Sequence, residues 1–375
     1  MSLFNVLQIL PSLDSGGVER GTIDLANYLS SNKIFNHIIS NGGRMEIELN
    51  TEYSQHYNLS VNSKNLFLYP YLAKKIDKYI KNHNINLIHV RSRGPSWILK
   101  FVQKKGLKTV STFHNVYGGS SYLKKIYNKE LANVDYVIAI SHYVKNSIVK
   151  KYNINPNKIT VINRGIDTVF FDDDLKENDK NIFINKYKIK KNKKIILYPA
   201  RLTEWKGQKE FLSVIKKIVN ENYFTYFVGD DKNFSYTSVL QNEINKSSLG
   251  DKCMILGNLN RNELKLMYSI SDIVISAPLR PEGFGRIVSE GMSMKKIVLA
   301  FDFGGVSDQL KQIDSLYKIQ PRNYEALSNK INLLSDLSDE KKINLTNIAR
   351  NHVLKYFSSN EMVNKYKNFY DNIFL

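Results

Sequence analysis

The stretch that decides the fold reads APLRPEGFGRIVSEGM and runs from Ala277 to Met292. The apolar, β-branched run that ends at Ser276 is typical of a buried parallel strand, and the prolines and glycines after it predict a loop followed by a helix. Two carboxylates, Glu282 and Glu290, stand here with seven residues between them. Carboxylates accept hydrogen bonds from sugar hydroxyls, and the open amides at a helix start suit phosphate. One short segment can therefore hold both halves of a nucleotide sugar.

The two glutamates and the residues between them resemble the E-x7-E signature of retaining glycosyltransferases with the GT-B fold, family 4. The resemblance implies that Glu282 lies against the donor sugar and that Glu290 bonds the nucleotide ribose. It also implies that the amides around Phe284 and Gly285 face the sugar and the diphosphate. Two glutamates at this spacing also occur by chance in a solvated loop and helix, but the attached Pro-Glu-Gly-Phe-Gly sequence and the preceding strand favour the signature.

Length and composition are compatible with two globular domains. The chain has 375 residues, of which 42% are hydrophobic, and a domain takes roughly 150 residues. The single cysteine, Cys253, excludes an intrachain disulfide and a cysteine-rich metal site, so we expect a reducing, cytoplasmic environment. No basic leader precedes the first apolar run, and no run of about 18 apolar residues occurs. We therefore expect a soluble, unprocessed protein.

The formal net charge of +19 predicts an anionic partner. Nucleic acid, an anionic lipid headgroup and a phosphorylated substrate are the candidates. The basic residues are spread over helices such as 74–81, where a solvated face is the simpler explanation, and part of the excess reflects a general use of lysine. No zinc finger, RNP-like motif or basic arm occurs, so we expect no nucleic-acid partner.

Strand and helix patterns alternate through residues 1–170, which predicts a first domain with a parallel sheet covered by helices on both faces. Apolar runs predict strands at 5–10, 37–40, 65–68, 86–90, 109–112 and 132–141. The glycine pair Gly16-Gly17 opens the first helix and lets an anion or a substrate approach the backbone, although a plain tight turn is the alternative. The stretch from Gly16 to Arg20 resembles the Gly-Gly-x-Glu-Arg loop of the family, which implies that both glycines bind the donor.

Polar side chains follow the next strands, at the edge where ligands of parallel sheets bind. Arg91 and Arg93 come after the strand at 86–90, with Arg91 where the family often has a histidine; a pair of surface arginines is the alternative. This segment is similar to that of lipopolysaccharide-type members, which implies an anionic acceptor contacted by Arg91 or Arg93. His114 matches the family histidine beside the donor sugar at the reacting centre, although Asn115 replaces the usual acid.

The polar, lysine-rich stretch 171–192 predicts a linker, and the strand and helix pattern restarts in a second domain at 193–355. Arg201 and Lys206 lie five apart on a loop at a helix start and can both reach one diphosphate. Each contact has a Coulomb energy of about 4 kcal/mol at ~4 Å and an effective dielectric near 20, before desolvation. Two surface cations are the alternative. The loop resembles the family's G-R-L-x-x-x-K-G pattern, whose arginine and lysine hold the donor diphosphate, with Ala200 in place of the glycine.

The last segment, 356–375, predicts a helix with an apolar stripe formed by Met362, Tyr366 and Tyr370. A stripe of this kind packs in a core by default. The family resemblance implies that this helix crosses back to the first domain.

The sequence predicts an α/β protein of the GT-B type, with two Rossmann-like, doubly wound parallel-sheet domains facing a central cleft. The resemblance implies a retaining glycosyltransferase with a nucleotide-diphosphate sugar as co-substrate and no other cofactor. No Asp-x-Asp motif stands at a strand end, and Arg201 and Lys206 can neutralise the leaving diphosphate, so we expect no metal. The resemblance also implies a cell-envelope glycan or glycolipid acceptor of lipopolysaccharide type, and the net charge of +19 predicts peripheral contact with an anionic membrane surface. A nucleotide-sugar epimerase of the same fold and a non-catalytic basic binding protein are the alternatives. The first needs acid–base carboxylates that the sequence does not place, and the second leaves the ordered motifs unexplained.

Overall fold

The computed structural model of the protein describes residues 3–14, 16–118, 121–220, 222–230 and 235–375. The chain forms two compact units. The first contains the chain up to Gly165 together with Ser359–Leu375, and the second contains Ile166–Ser358. Over these described ranges, no helix is long and apolar enough to cross a membrane.

The first unit is built on a parallel sheet. Its strands are β1 Val6–Ile9, β2 Asn36–Ser40, β3 Ser54–Asn58, β4 Leu87–Val90, β5 Lys108–Phe113, β6 Tyr136–Ala139 and β7 Ile159–Val161. In the part of the chain that the structure describes, they pair in the order β3-β2-β1-β4-β5-β6-β7. The central strands β1 and β4 are buried along their whole length, as a parallel sheet covered by helices requires. The connections change direction between β1 and β4, and ligands of such sheets bind beyond the carboxyl ends at that point.

Helices cover this sheet, and one predicted strand is absent from it. The helices are α1 Gly17–Ser31, α2 Tyr69–Asn82, α3 Arg93–Ile98, α4 Tyr122–Lys129 and α5 His142–Tyr152. The prediction of a strand at 65–68 is wrong, because Leu66–Leu68 form a 3-10 turn that leads into α2, and Phe67 is 94% exposed. The sequence prediction also lacks the two edge strands β7 and β3, and the residues of β3, Ser-Gln-His-Tyr-Asn, contain no aliphatic side chain. The position of β3 at the sheet edge explains why a polar sequence suffices.

The second unit repeats the architecture. Its strands are β8 Lys194–Pro199, β9 Tyr223–Val228, β10 Cys253–Gly257, β11 Ile273–Ser276, β12 Ile297–Phe301 and β13 Lys318–Ile319. Counted over the described residues, this sheet has six parallel strands in the order β10-β9-β8-β11-β12-β13. The connections change direction between β8 and β11, so the loops after these two strands occupy the expected ligand edge.

The stretch 171–192, which the sequence predicts as a linker, lies inside the second unit. The helices of this unit are α6 Glu177–Lys186, α7 Gln208–Lys217, α8 Ser235–Lys246, α9 Arg261–Ser269, α10 Arg286–Ser293, α11 Val306–Leu310, α12 Tyr324–Asp336 and α13 Asp339–Tyr356. The Ser293 hydroxyl donates to the Phe171 carbonyl (2.6 Å), and Arg350 pairs with Asp172 (2.5 Å). These contacts, with the buried Phe183 of α6, attach the stretch to the unit despite its polar composition.

The terminal helix, α14 Ser359–Phe374, belongs to the first unit. Its apolar stripe lies in the hydrophobic core of that unit. The Tyr370 hydroxyl lies 2.6 Å from Nδ1 of His89, and Nε2 of His89 lies 2.7 Å from the Thr112 hydroxyl. Burial lowers the pKa of His89 well below its usual value. A neutral histidine thus connects the terminal helix to β4 and β5.

Candidate active site

Two loops of the second unit bring Lys206 and Glu282 together. Lys206 ends a short 3-10 turn after β8, and Glu282 lies in the loop after β11. The lysine Nζ is 2.6 Å from Oε1 of the glutamate, and the two side chains are only 9% and 15% exposed. The lysine also lies over the ring of Trp205, 4.4 Å from its centroid. Two residues predicted separately as diphosphate and sugar ligands therefore form one ion pair at the ligand edge of the sheet.

Main-chain contacts fix the position of this lysine. The Leu279 amide donates to the Trp205 carbonyl (2.8 Å), which joins the two loops directly. Gly207 has a φ of +83°, and a Cβ there would lie 2.4 Å from the Ala277 carbonyl oxygen. The Tyr198 hydroxyl donates to the Lys206 carbonyl (2.5 Å). A glycine is required after the lysine because the neighbouring backbone occupies the space of a side chain.

A second set of glycines packs the Gly-Phe-Gly segment against the loop after β12. The Gly305 amide donates to the Glu282 carbonyl (2.8 Å). Gly285 has a φ of +82° and is the N-cap residue of α10, and a Cβ there would lie 2.5 Å from Cγ2 of Val306. The Phe284 side chain is buried, 5.9 Å from the ring of Phe357. The ring of Phe284 therefore packs in the core, so only the main chain at this residue is suited to meet a ligand.

Both carboxylate oxygens of Glu290 already have a partner. Oε1 lies 2.9 Å from Nη2 of Arg286, one turn earlier on α10, and Oε2 accepts from the Tyr268 hydroxyl at 3.1 Å. Burial, with the nearby carboxylate, raises the pKa of Tyr268 well above its usual value, so the phenol remains a donor. Sequence reasoning missed Arg286 and Tyr268. The i, i+4 spacing of Arg286 and Glu290 on one helix could have indicated their ion pair, whereas the contact of Tyr268 with Glu290 depends on tertiary packing.

Arg201 differs from Lys206 in its surroundings. Its guanidinium is exposed and makes no hydrogen bond or ion pair with any other residue that the structure describes. Its backbone is held, because Nε2 of Gln208 donates to the Arg201 carbonyl at 2.9 Å. The structure therefore places one predicted diphosphate ligand in a buried pair and leaves the other in solvent.

In the first unit, His114 and the glycine pair are joined by Arg164. Nη2 of Arg164 lies 3.2 Å from Nδ1 of His114 and also donates to the Gly17 carbonyl. A Cβ on Gly17 would lie 1.8 Å from Nη1 of the arginine, so a side chain there would displace the guanidinium. Gly16, with a φ of +132°, precedes α1. Burial and the charge of Arg164 lower the pKa of His114 well below its usual value.

The structure corrects the acceptor assignment of Arg91. Its side chain is 1% exposed, Nη1 donates to Oε1 of Gln8 (2.9 Å), and the guanidinium lies over Tyr366, 5.3 Å from the ring centroid. A side chain enclosed in this way cannot touch an acceptor. Arg93 is half-buried, with Nη1 2.8 Å from Oδ1 of Asn128 and its guanidinium 4.2 Å from the Tyr117 ring centroid.

Two family models match the chain. The model of glycosyltransferase family 4 matches residues 15–170, and that of glycosyl transferases group 1 matches residues 179–352. The chain belongs to the GT-B glycosyltransferases. The predicted fold class of two parallel-sheet α/β domains is thereby confirmed, and so is the class of enzyme.

Similar proteins cover the chain almost completely. A crystal structure of a glycosyltransferase from Rickettsia africae ESF-5 is 35% identical, with a TM-score of 0.87, over 99% of this chain and 98% of that one. N-acetyl-alpha-D-glucosaminyl L-malate synthase of Bacillus anthracis is 24% identical over 97% of this chain and 95% of its own length. Anabaena HepE, solved in complex with UDP and glucose, is 18% identical, with a TM-score of 0.80, over 98% of this chain and 100% of the HepE chain. The last likeness concerns the fold alone.

We predict that Gly285→Ala destabilises the protein more than Gly257→Ala does. Both glycines have a φ of +82°, but a Cβ meets Val306 only at Gly285 and nothing within 4 Å at Gly257. The two variants therefore share the backbone strain and differ in the collision, which costs about 1–3 kcal/mol in a packed region. Urea denaturation gives both free energies of unfolding. An equal decrease in the free energy of unfolding in the two variants would mean that the Gly-Phe-Gly segment is not tightly packed against Val306.

Proposed function

We propose that this glycosyltransferase moves a sugar from a nucleotide-diphosphate donor to an anionic cell-envelope glycan or glycolipid, with retention and without a metal ion. The observation that carries the proposal is the pair of Lys206 and Glu282 at the ligand edge of the second sheet. The pair presents a cation suited to a phosphate next to a carboxylate suited to sugar hydroxyls. The UDP bound to HepE, a neighbour in fold, supports a nucleotide donor.

Both members of the ion pair can bind the donor, Lys206 through the diphosphate and Glu282 through the sugar. A diphosphate carries more negative charge than one carboxylate, so it competes for the ammonium of Lys206. Glu282 is then free to accept from hydroxyls of the transferred sugar. Arg201, exposed at the start of the same loop, supplies the second cation. Together the two cations stabilise the negative charge that develops on the departing diphosphate.

Glu290 is proposed to accept a hydrogen bond from the ribose. A carboxylate offers about four acceptor positions, and Arg286 and Tyr268 use one on each oxygen. A ribose hydroxyl therefore adds to these bonds without replacing them. The two existing donors hold the carboxylate in one orientation, which lowers the entropy cost of binding the nucleotide.

The transfer itself needs no enzyme nucleophile. The bond between the sugar C1 and the phosphate oxygen breaks while the acceptor oxygen bonds C1 from the same face. The acceptor's proton passes to the departing phosphate oxygen. Glu282 and His114 orient the donor sugar, so that catalysis consists mainly of positioning and electrostatic stabilisation.

Incubation with a panel of nucleotide sugars tests the reaction. We expect release of a nucleoside diphosphate, equal rates with EDTA and with added Mg²⁺, and a transferred sugar whose anomeric configuration, read by proton NMR, matches that of the donor. Products with the opposite configuration, or rates that depend on Mg²⁺, would contradict the proposed mechanism. An epimerised sugar, free or still bound to the nucleotide, would identify the epimerase alternative, and no turnover with any donor would contradict the enzyme assignment.

The proposal for the acceptor is supported by the net charge of the chain and by the surface of helix α4. The chain carries +19, and Arg93 keeps its guanidinium close to the surface of the first unit. On α4, Tyr122 and Leu123 are each 77% exposed, and Lys124 and Lys125 follow directly. Exposed apolar side chains next to lysines suit an anionic bilayer surface, where each basic residue contributes roughly 1 kcal/mol. We therefore propose peripheral binding at the cytoplasmic face of the membrane, with the anionic acceptor in contact with Arg93.

Vesicle sedimentation tests this surface. We expect the protein to bind vesicles that contain phosphatidylglycerol at low salt and to dissociate at high salt, because the Debye length falls from about 10 Å at 0.1 M to about 3 Å at 1 M. The Tyr122→Ser/Leu123→Ser variant should bind the vesicles at least roughly tenfold more weakly, because the serines lack the apolar surface that Tyr122 and Leu123 bury in the bilayer.

The matched control is Ile343→Ser/Ile348→Ser, which removes two exposed apolar side chains of the second unit, 60% and 51% exposed. This variant should bind like the unaltered protein. Equal losses in the two variants, or no binding at low salt, would contradict a membrane role for α4.

A further inference from the structure

The contact between Arg164 and His114 determines where the histidine carries its proton. Nη2 of the arginine lies 3.2 Å from Nδ1 of the imidazole. A guanidinium has donors and no acceptor, so Nδ1 must be the acceptor in this hydrogen bond. The proton of the neutral ring is therefore on Nε2.

Nε2 of His114 is a donor without a partner. The atom is buried, and it makes no hydrogen bond with any of the residues that the structure describes. An unmade hydrogen bond on a buried donor is costly, so a donor that the protein itself leaves unpaired is suited to a water or a ligand. The sugar hydroxyls of a bound donor are acceptors of the required kind.

The charges around His114 keep it neutral. Arg164 faces it from the segment after β7, the buried His89 faces it from β4, and Arg91 faces it from the residue after β4. Burial and these groups all lower its pKa. The carboxylate of Glu19 interacts with Arg164, and burial raises the pKa of this carboxyl. Because cations prevail beside the imidazole, a second proton on Nδ1 is disfavoured.

We propose that Arg164 is a positioning residue, which holds His114 in one orientation as the neutral Nε2–H tautomer and so directs one N–H donor at a hydroxyl of the transferred sugar. The same Nη2 donates to the Gly17 carbonyl, so the arginine also fixes the glycine turn next to the histidine. The absence of a side chain on Gly17 leaves the space that the guanidinium occupies. The part of this inference that concerns the sugar rests on the proposed function, whereas the tautomer does not.

Nitrogen NMR of the histidine rings tests the tautomer directly. The chain has seven histidines, and His114→Gln assigns the relevant signals by their loss. In the unaltered protein we expect Nδ1 to be unprotonated and Nε2 protonated, with no titration as pH falls through about 6.5, the ordinary histidine value. A protonated Nδ1 at neutral pH would overturn the proposal, whether or not the protein is active.

Two variants separate positioning from simple packing. Arg164→Met removes both the donor and the charge, so His114 should populate both tautomers and titrate closer to the ordinary value. Its kcat for transfer should fall roughly tenfold or more, with a further decline as pH falls through about 6.5, and the donor KM should change little. Arg164→Lys keeps the positive charge, so the pKa of His114 should stay below the ordinary histidine value in this variant, even if the ratio of the two tautomers changes.

The control is Arg44→Gln, an exposed arginine of the same unit, which should leave the ring signals and kcat unchanged. An Arg164→Met protein with unaltered ring signals and an unaltered pH profile would overturn the proposal. If Arg164→Met fails to fold, the ring signals of the unaltered protein and of Arg164→Lys still decide the tautomer.

Discussion

The contact that the second unit depends on is the ion pair of Lys206 and Glu282. Two opposite charges with little exposure stabilise each other, but removing one partner of a buried pair typically costs about 3–5 kcal/mol. The pair stabilises only while both charges stay in contact, so the two loops need further contacts that hold them in place. Gly207 and Gly305 meet this requirement, because each lets one backbone approach another at a distance that a side chain would prevent. Gly285 in turn lets its backbone approach the Val306 side chain. These close approaches hold the lysine and the carboxylate next to each other.

Much of the fold could be predicted because parallel strands covered on both faces are short, continuous apolar runs. This signal identifies the central strands of both sheets, and it fails where strands are not central. The edge strand Ser54–Asn58 has a polar sequence, and the apolar run at 65–68 is an exposed turn. The stretch 171–192 has the polar sequence of a linker but lies inside the second unit, for a related reason. Its lysines lie on the solvent side, and a few buried side chains such as Phe183 attach it to the second unit.

The site was predictable where a motif fixes several residues in sequence, and unpredictable where tertiary packing decides. The spacing of Glu282 and Glu290 needed only the sequence, whereas the tyrosine that bonds Glu290 comes from another helix. Arg91 and Arg164 give the sharper lesson. Both are arginines at strand ends, but one is enclosed against Gln8 and the other reaches His114. A charge in a sequence does not reveal whether it meets solvent, a ligand or a neighbouring side chain.

A double-mutant cycle on nucleotide affinity tests most directly whether Lys206 serves the ligand or only its partner. Calorimetry with UDP, GDP and ADP identifies the tightest nucleoside diphosphate for the unaltered chain. Its affinity is then measured for Lys206→Ala, Glu282→Ala and the double variant. We expect Glu282→Ala to keep or raise the affinity, because the diphosphate no longer competes with the carboxylate for Lys206. The lysine substitution should weaken binding by roughly tenfold or more in both backgrounds, as the loss of one charged hydrogen bond implies. Equal affinities of Glu282→Ala and the double variant would show that the lysine only neutralises the glutamate.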